Sequence, residues 1–173
     1  MKTLLRGGLV VSGGEVRQAD VLLEKGQIAA VGSQLPSEDA HIVDCTGKLL
    51  FPGFIDGHTH FDLPVAGTIT ADDFATGSRA ALRGGTTMVV DFSAPDKGET
   101  LHHGLDLWRQ KAEGKAACDY GFHMTIDDWN GGISREIGEM VELGIPTFKM
   151  YMTYPAMMIP EGDMYNALLR LKE

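Results

Sequence analysis

The stretch GFIDGHTHFD, residues 53–62, ends an apolar run with two histidines in HxH spacing. On a β-strand, positions i and i+2 project from one face, so His58 and His60 point the same way. Two imidazoles on one face can chelate one ion of zinc, iron, manganese or nickel. They can also form a hydrogen-bonded structural pair at a strand end. Placement after a hydrophobic strand, with Asp56 just upstream, favours the metal. A second anomaly is Lys149, in the otherwise apolar run TFKMYM. An unpaired ammonium is costly to bury, and burial lowers a lysine's pKa until it serves as nucleophile or base. One alternative is a lysine whose head reaches a carboxylate at the rim. A third is carboxylation by carbon dioxide, which removes the burial penalty and makes an anionic carbamate able to bridge two metals.

Other candidates read as structural. Asp91 ends a strand-like run and could orient a ligand or cap a turn; the structural role is favoured. His123 sits inside a strand and is read as core, while His41, His102 and His103 are assigned to the surface. Met150, Met152, Met157 and Met158 surround the Lys149 run and could line an adaptable apolar pocket, with plain packing the simpler description.

These residues need elements to position them. Residues 1–50 hold short Val, Ile and Leu runs punctuated by Gly13-Gly14, Lys25-Gly26 and Thr46-Gly47, the pattern of hairpins in a small β domain that Pro52-Gly53 closes. Beyond it, four strand-like runs follow at residues 53–58, 86–92, 119–126 and 146–152. Each precedes a stretch with helical spacing. Thr70 is placed as the first N-cap, with acids in the first turn and Gly84-Gly85 as the stop. The second helix aligns Leu101, Leu105 and Trp108 and ends at Gly114. The third stacks Ile133, Ile137, Met140 and Val141 and ends at Gly144; the fourth aligns Met164, Leu168 and Leu171. Alternation at roughly 30-residue intervals implies right-handed βαβ units on a parallel sheet. Four units make half of a (β/α)₈ barrel, whose usual length is about 250 residues. The fold class is therefore α/β: the first half of a barrel over residues 51–173, preceded by a small β portion over residues 1–50. The final LLRLKE carries no Gly, Asn or Pro stop signal, and the chain is expected to be cut in mid-architecture.

Composition narrows the function. Apolar residues are 43% and charged residues 23% of the 173, enough for a buried core in a soluble protein. Fifteen basic against 24 acidic residues give a net charge of −9, and no Lys/Arg cluster forms a phosphate-binding stripe, so nucleic acid is excluded as a partner. Cys45 and Cys118 lack CxxC spacing and read as reduced thiols. MKTLLRGGLVV is too short and interrupted for a signal peptide or span, so a cytoplasmic protein without a membrane partner is expected.

PGFIDGHTHFDLP, TADDF, GGTTMVVDF, CDYGFH and FKMYMTYP together resemble the cyclic-amide hydrolases of the amidohydrolase superfamily, in their dihydropyrimidinase/hydantoinase branch. The resemblance runs in order from residue 1 to residue 173. It implies a (β/α)₈ barrel plus a small β-sandwich built from both chain ends, and a cytoplasmic enzyme of pyrimidine breakdown. It implies two divalent metal ions, commonly zinc, with His58 and His60 on the more buried one and Lys149, as its carbamate, bridging both. A hydroxide shared by metals about 3.5–4 Å apart would be the nucleophile, and Tyr154 in MTYP would stabilise the oxyanion. Val65, Tyr151 and Met158 fall where the family places loop residues that contact the substrate's exocyclic group; each could also be a packing residue. The product would be an N-carbamoyl amino acid, from a dihydropyrimidine or a substituted hydantoin, and the complete enzyme would be a homotetramer.

Dihydroorotases and allantoinases share the HxH start. Dihydroorotase-like sequences place an arginine two residues after the second histidine; here that position is Asp62, which favours a small neutral cyclic ureide or imide. Non-catalytic dihydropyrimidinase-like assembly proteins lack the metal ligands, whereas His58, His60 and Lys149 are all present here. The family's other ligands, two histidines and an aspartate on later strands, have no counterpart among these residues. The 173-residue chain is thus expected to hold a half-site with low metal occupancy and little activity. It is also expected to self-associate or to require a complementary chain.

Overall fold

The computed structural model describes residues 1–65 and 67–173. The chain divides into two units, Met1–Gly53 and Phe54–Glu173.

In the first unit, alternating apolar residues build β1 (Lys2–Ser12), β2 (Glu15–Glu24), β3 (Gln27–Gly32), β4 (Ala40–Asp44) and β5 (Leu49–Leu50). Gly13 and Gly14 both take positive φ, as do Lys25 and Gly26, and these two-residue turns close the antiparallel pairs β1–β2 and β2–β3. Thr46-Gly47 does something else. The turn there, with the Lys48 amide donating to the Cys45 carbonyl at 2.9 Å, carries the chain from β4 to β5, and both pair parallel with β1. The result is one five-stranded sheet in the order β3-β2-β1-β4, with β5 also on β1. Leu4, Ala19, Val21 and Cys45 are its buried apolar residues.

The second unit alternates parallel strands with helices. β6 (Phe54–Thr59) is followed by the hairpin β7 (Pro64–Val65) and β8 (Thr68–Ile69), then α1 (Phe74–Arg83). The rest follows as β9 (Thr86–Ser93), α2 (Leu101–Ala112), β10 (Asp119–Thr125), α3 (Gly131–Glu142), β11 (Phe148–Lys149) and α4 (Glu161–Lys172). The sheet order β11-β10-β9-β6 is sequential and every pairing is parallel, the pattern of a half-barrel. One face of β9 and β10 packs on the helices. Phe122, Met124 and Ile126 join Phe74, Leu105, Trp108, Ile137 and Met140 in the core.

Several local expectations are corrected. Asp73 caps α1, not Thr70: its carboxylate accepts from the Thr76 amide at 2.8 Å while the Thr76 hydroxyl accepts from the Asp73 amide at 3.1 Å. Asp72 and Asp73 therefore precede the first turn. Thr70 instead brackets the β7–β8 hairpin, its hydroxyl accepting from the Leu63 amide at 2.9 Å. The fourth strand shrinks to Phe148 and Lys149, in register with Met124 and Thr125 of β10, and the Ile126 amide donates to the Lys149 carbonyl at 2.9 Å. On α3, Val141 is 49% exposed, and on α4, Leu168 is 54% exposed; Ala167 takes the buried place.

Candidate active site

β6 delivers His58 and His60 at its carboxyl end, where the ladder to β9 shifts register between Asp56 and Thr59. The Asp56 carboxylate accepts from the His58 amide at 3.1 Å and holds this irregular turn of chain. The two imidazoles lie edge to face with centroids 5.0 Å apart. Beneath both is the Phe92 ring of β9, 4.6 Å from His58 and 5.0 Å from His60. The Lys149 ammonium, at the end of β11, lies 4.1 Å over that same ring and 4.6 Å over Tyr151. His123 of β10 also stacks on Phe92, at 4.8 Å. Its two ring nitrogens are engaged by the Thr147 hydroxyl and the Gly57 carbonyl, so it braces β6 and offers no free lone pair.

A second layer holds the backbone around His60. Asp91, fully buried on β9, accepts with one carboxylate oxygen from the Thr59 hydroxyl at 3.0 Å and the Phe61 amide at 2.8 Å. The other oxygen accepts from the Phe92 amide at 2.7 Å and the Trp108 indole N–H at 3.0 Å. Lys111 packs over the Trp108 ring at 4.0 Å and donates to the Asp62 carbonyl at 2.7 Å. Asp62 sits in the left-handed region, φ +50°, so this contact holds a sharp bend just past His60.

Electrostatics shift both the His60 imidazole and the Lys149 amine toward their neutral forms. Burial, then the positive charge of Lys149, pushes His60 below the ordinary histidine pKa. Its Nδ1 is buried with no hydrogen-bond partner among the described residues. Burial also lowers Lys149, opposed by Asp127 and Tyr154. Asp127, just past β10, is pushed up to about 7, chiefly by burial, and one of its oxygens also has no partner among the described residues.

Tyr151, Tyr154 and Met158 gather on the segment after Lys149. Tyr151 bridges Met158, and the Tyr151 and Tyr154 rings meet edge to face at 5.9 Å. Tyr154 takes φ +64° and is 65% exposed, its carbonyl accepting from the Met157 and Met158 amides. Val65 lies on β7, exposed.

Two imidazoles suit a divalent ion in donor chemistry, and the orphaned Nδ1 of His60 is the kind of atom that an ion would satisfy. Among the described residues, no group of three or more His, Cys, Asp and Glu side chains is placed to hold an ion.

The pattern of the amidohydrolase family matches residues 49–145, more than half of the chain. The chain belongs to the amidohydrolase family. Within it the likeness runs to the dihydropyrimidinase/hydantoinase branch. The D-hydantoinase of Streptomyces coelicolor is 43% identical over 178 residues, covering 99% of this chain and 38% of the relative. The rat dihydropyrimidinase is 39% identical, covering 99% and 34%. The crystal structure of a dihydropyrimidinase from Brevibacillus agri superposes with a TM-score of 0.96 at 43% identity, covering 99% of this chain and 38% of that one. The chain thus spans less than two-fifths of the length of these amidohydrolases.

Asp91, Phe92 and Asp127 do not stand out as site residues in the sequence. Asp91 carried one signal, a carboxylate closing an apolar strand. Phe92 and Asp127 carried none, because the first matters through its place between strands and the second through its burial.

Proposed function

We propose that this chain carries the amino-terminal part of a metal-dependent cyclic-amide hydrolase of the dihydropyrimidinase/hydantoinase kind. The observation that carries the reading is the convergence of His58, His60 and Lys149 on the Phe92 ring at the carboxyl ends of parallel strands. The similarity to D-hydantoinases and dihydropyrimidinases supports it. In this reading residues 51–173, which hold the second unit, are four βα units of a (β/α)₈ barrel. The first sheet, residues 1–50, is a layer of a β-sandwich.

His58 and His60 would hold the ion through neutral imidazole lone pairs. Lys149 would contribute as a carbamate. Its neutral amine adds to the carbon of carbon dioxide, an N–C bond forms, one C–O π pair moves to oxygen, and one proton leaves to solvent. The anion so formed would offer oxygen donors to the ions in place of a half-buried cation. When bound, divalent ions, zinc by preference, polarise a carbonyl and make a water acidic enough to attack near neutral pH. In the net reaction, water adds to a ring carbonyl, the ring C–N bond breaks, and the leaving nitrogen takes a proton. Tyr154 would donate its hydroxyl to the oxyanion, and Tyr151, Met158 and Val65 would meet the exocyclic group. With Asp62 where a cation would grip an acid, a neutral cyclic ureide or imide is the substrate class. The free thiols Cys45 and Cys118 suit the cytoplasm, and no helix among the described residues is long and apolar enough to cross a membrane.

Zinc titration of the chain with bicarbonate present, followed by dihydrouracil and hydantoin hydrolysis, tests this. Zinc should bind to the chain and lose affinity at least tenfold in His58→Ala and His60→Ala. Hydrolysis by residues 1–173 alone should stay near background, since the family's remaining donors are not among them. Equal zinc affinity in both variants would refute the reading.

A further inference from the structure

We propose that Asp91 is the positioning residue for the histidine pair, acting through the backbone on both sides of His60; this rests on the metal-site reading above. Its one oxygen takes the Thr59 hydroxyl and the Phe61 amide, the residues immediately before and after His60. Its other oxygen takes the Phe92 amide, and the Phe92 ring is the surface on which both imidazoles rest. A single buried carboxylate therefore fixes the chain that carries the imidazole and the platform beneath it.

The choice of residue follows. A fully buried carboxylate is costly unless its lone pairs are filled, and here four donors fill them. All four are donors, so only an acceptor at both oxygens fits. Asparagine would present an N–H₂ to two of them. The β6 ladder is irregular at this point, its register shifting between Asp56 and Thr59, so regular strand pairing does not position His60. The carboxylate does that work in its place. Outer groups that orient ligands typically matter by 10–100-fold in metal affinity.

A role confined to general stability is separable. Ser78→Ala removes buried hydrogen bonds on α1, to the Phe74 carbonyl and from the Ala117 amide, and touches none of the Asp91 set. Thr59→Val removes one of the bonds flanking His60, and Asp91→Asn disturbs the whole set. Cobalt(II) titration of each variant, with its unfolding midpoint measured alongside, reads the difference. Asp91→Asn and Thr59→Val should weaken cobalt binding about 10–100-fold, and Ser78→Ala should leave it within about threefold while still lowering the midpoint. Affinity unchanged in both Asp91→Asn and Thr59→Val, or lowered equally in Ser78→Ala, would overturn the proposal. Should Asp91→Asn fail to fold, Thr59→Val decides alone. The metal-free imidazole NMR signals keep the two readings apart. A wild-type chain that binds no cobalt contradicts the metal site. In that case the proposal still requires the His60 ring signals to shift in Thr59→Val, and their constancy overturns it.

Discussion

Asp127 holds its proton up to about pH 7 because burial (it is only 6% exposed), with a smaller push from Asp96, outweighs the pull of Lys97 and Lys149. Its folded pKa stands above its unfolded value of 3.8, so the folded chain binds the extra proton between about pH 4 and pH 7. Stability contributed by this group is full below that window and falls as pH rises through it. Asp127→Asn should flatten that slope and gain on the order of 1–2 kcal/mol near pH 8, after allowance for solvent screening. Urea unfolding of metal-free protein across the window checks it, and an unaltered slope would contradict the account. At this scale the sequence was partly legible. His58 and His60 announced themselves by spacing, and Lys149 by a charge in an apolar run. Asp127 stayed hidden because a carboxylate's ionisation depends on burial, and burial comes from distant residues.

Elements place these side chains through close contacts that local sequence does not display. A Cβ on Gly77 of α1 would stand 2.2 Å from the Phe61 ring, next to His60. Alanine gains about 0.5–1 kcal/mol in helix propensity, yet overpacking costs about 1–3 kcal/mol, so Gly77→Ala should be net destabilising by about 1–2 kcal/mol in thermal unfolding. A stabilised variant would show that the Phe61 ring moves freely. The cap of α1 gives a second check: Asp73→Ala should cost about 1 kcal/mol, and Thr70→Val should act on the β7–β8 hairpin instead. Helix positions were legible from their apolar spacing, and Ile133, Ile137 and Met140 are buried as that spacing requires. Val141 and Leu168 were not, because which side of a helix is covered depends on its neighbours. The choice between Thr70 and Asp73 turned on the reciprocal bond with Thr76, a pattern present in the sequence as D-x-x-T.

At the scale of the whole molecule, β6 and β11 are the two edges of the parallel sheet, and Ile55 is 66% exposed beside one of them. Tyr165, Leu168 and Leu169 form an exposed apolar stripe on α4. Edge strands and such stripes favour association, so the chain should sediment as more than a monomer at micromolar concentration, and Leu168→Lys should lower that tendency. A clean monomer at every concentration would contradict this. The alternation of strands and helices was legible from periodicity alone, since a parallel sheet needs a crossover for every strand. The hairpin expected at Thr46-Gly47 was not what formed, because β4 and β5 share one strand as their parallel partner. We propose that Lys149, as its carbamate, joins His58 and His60 in holding the metal. Carbon NMR of the chain with isotope-labelled bicarbonate and zinc tests it most directly. The wild-type chain should give a carbamate signal that Lys149→Ala abolishes and His58→Ala with His60→Ala greatly weakens. A signal absent from the wild-type chain, or unaffected by Lys149→Ala, would contradict it.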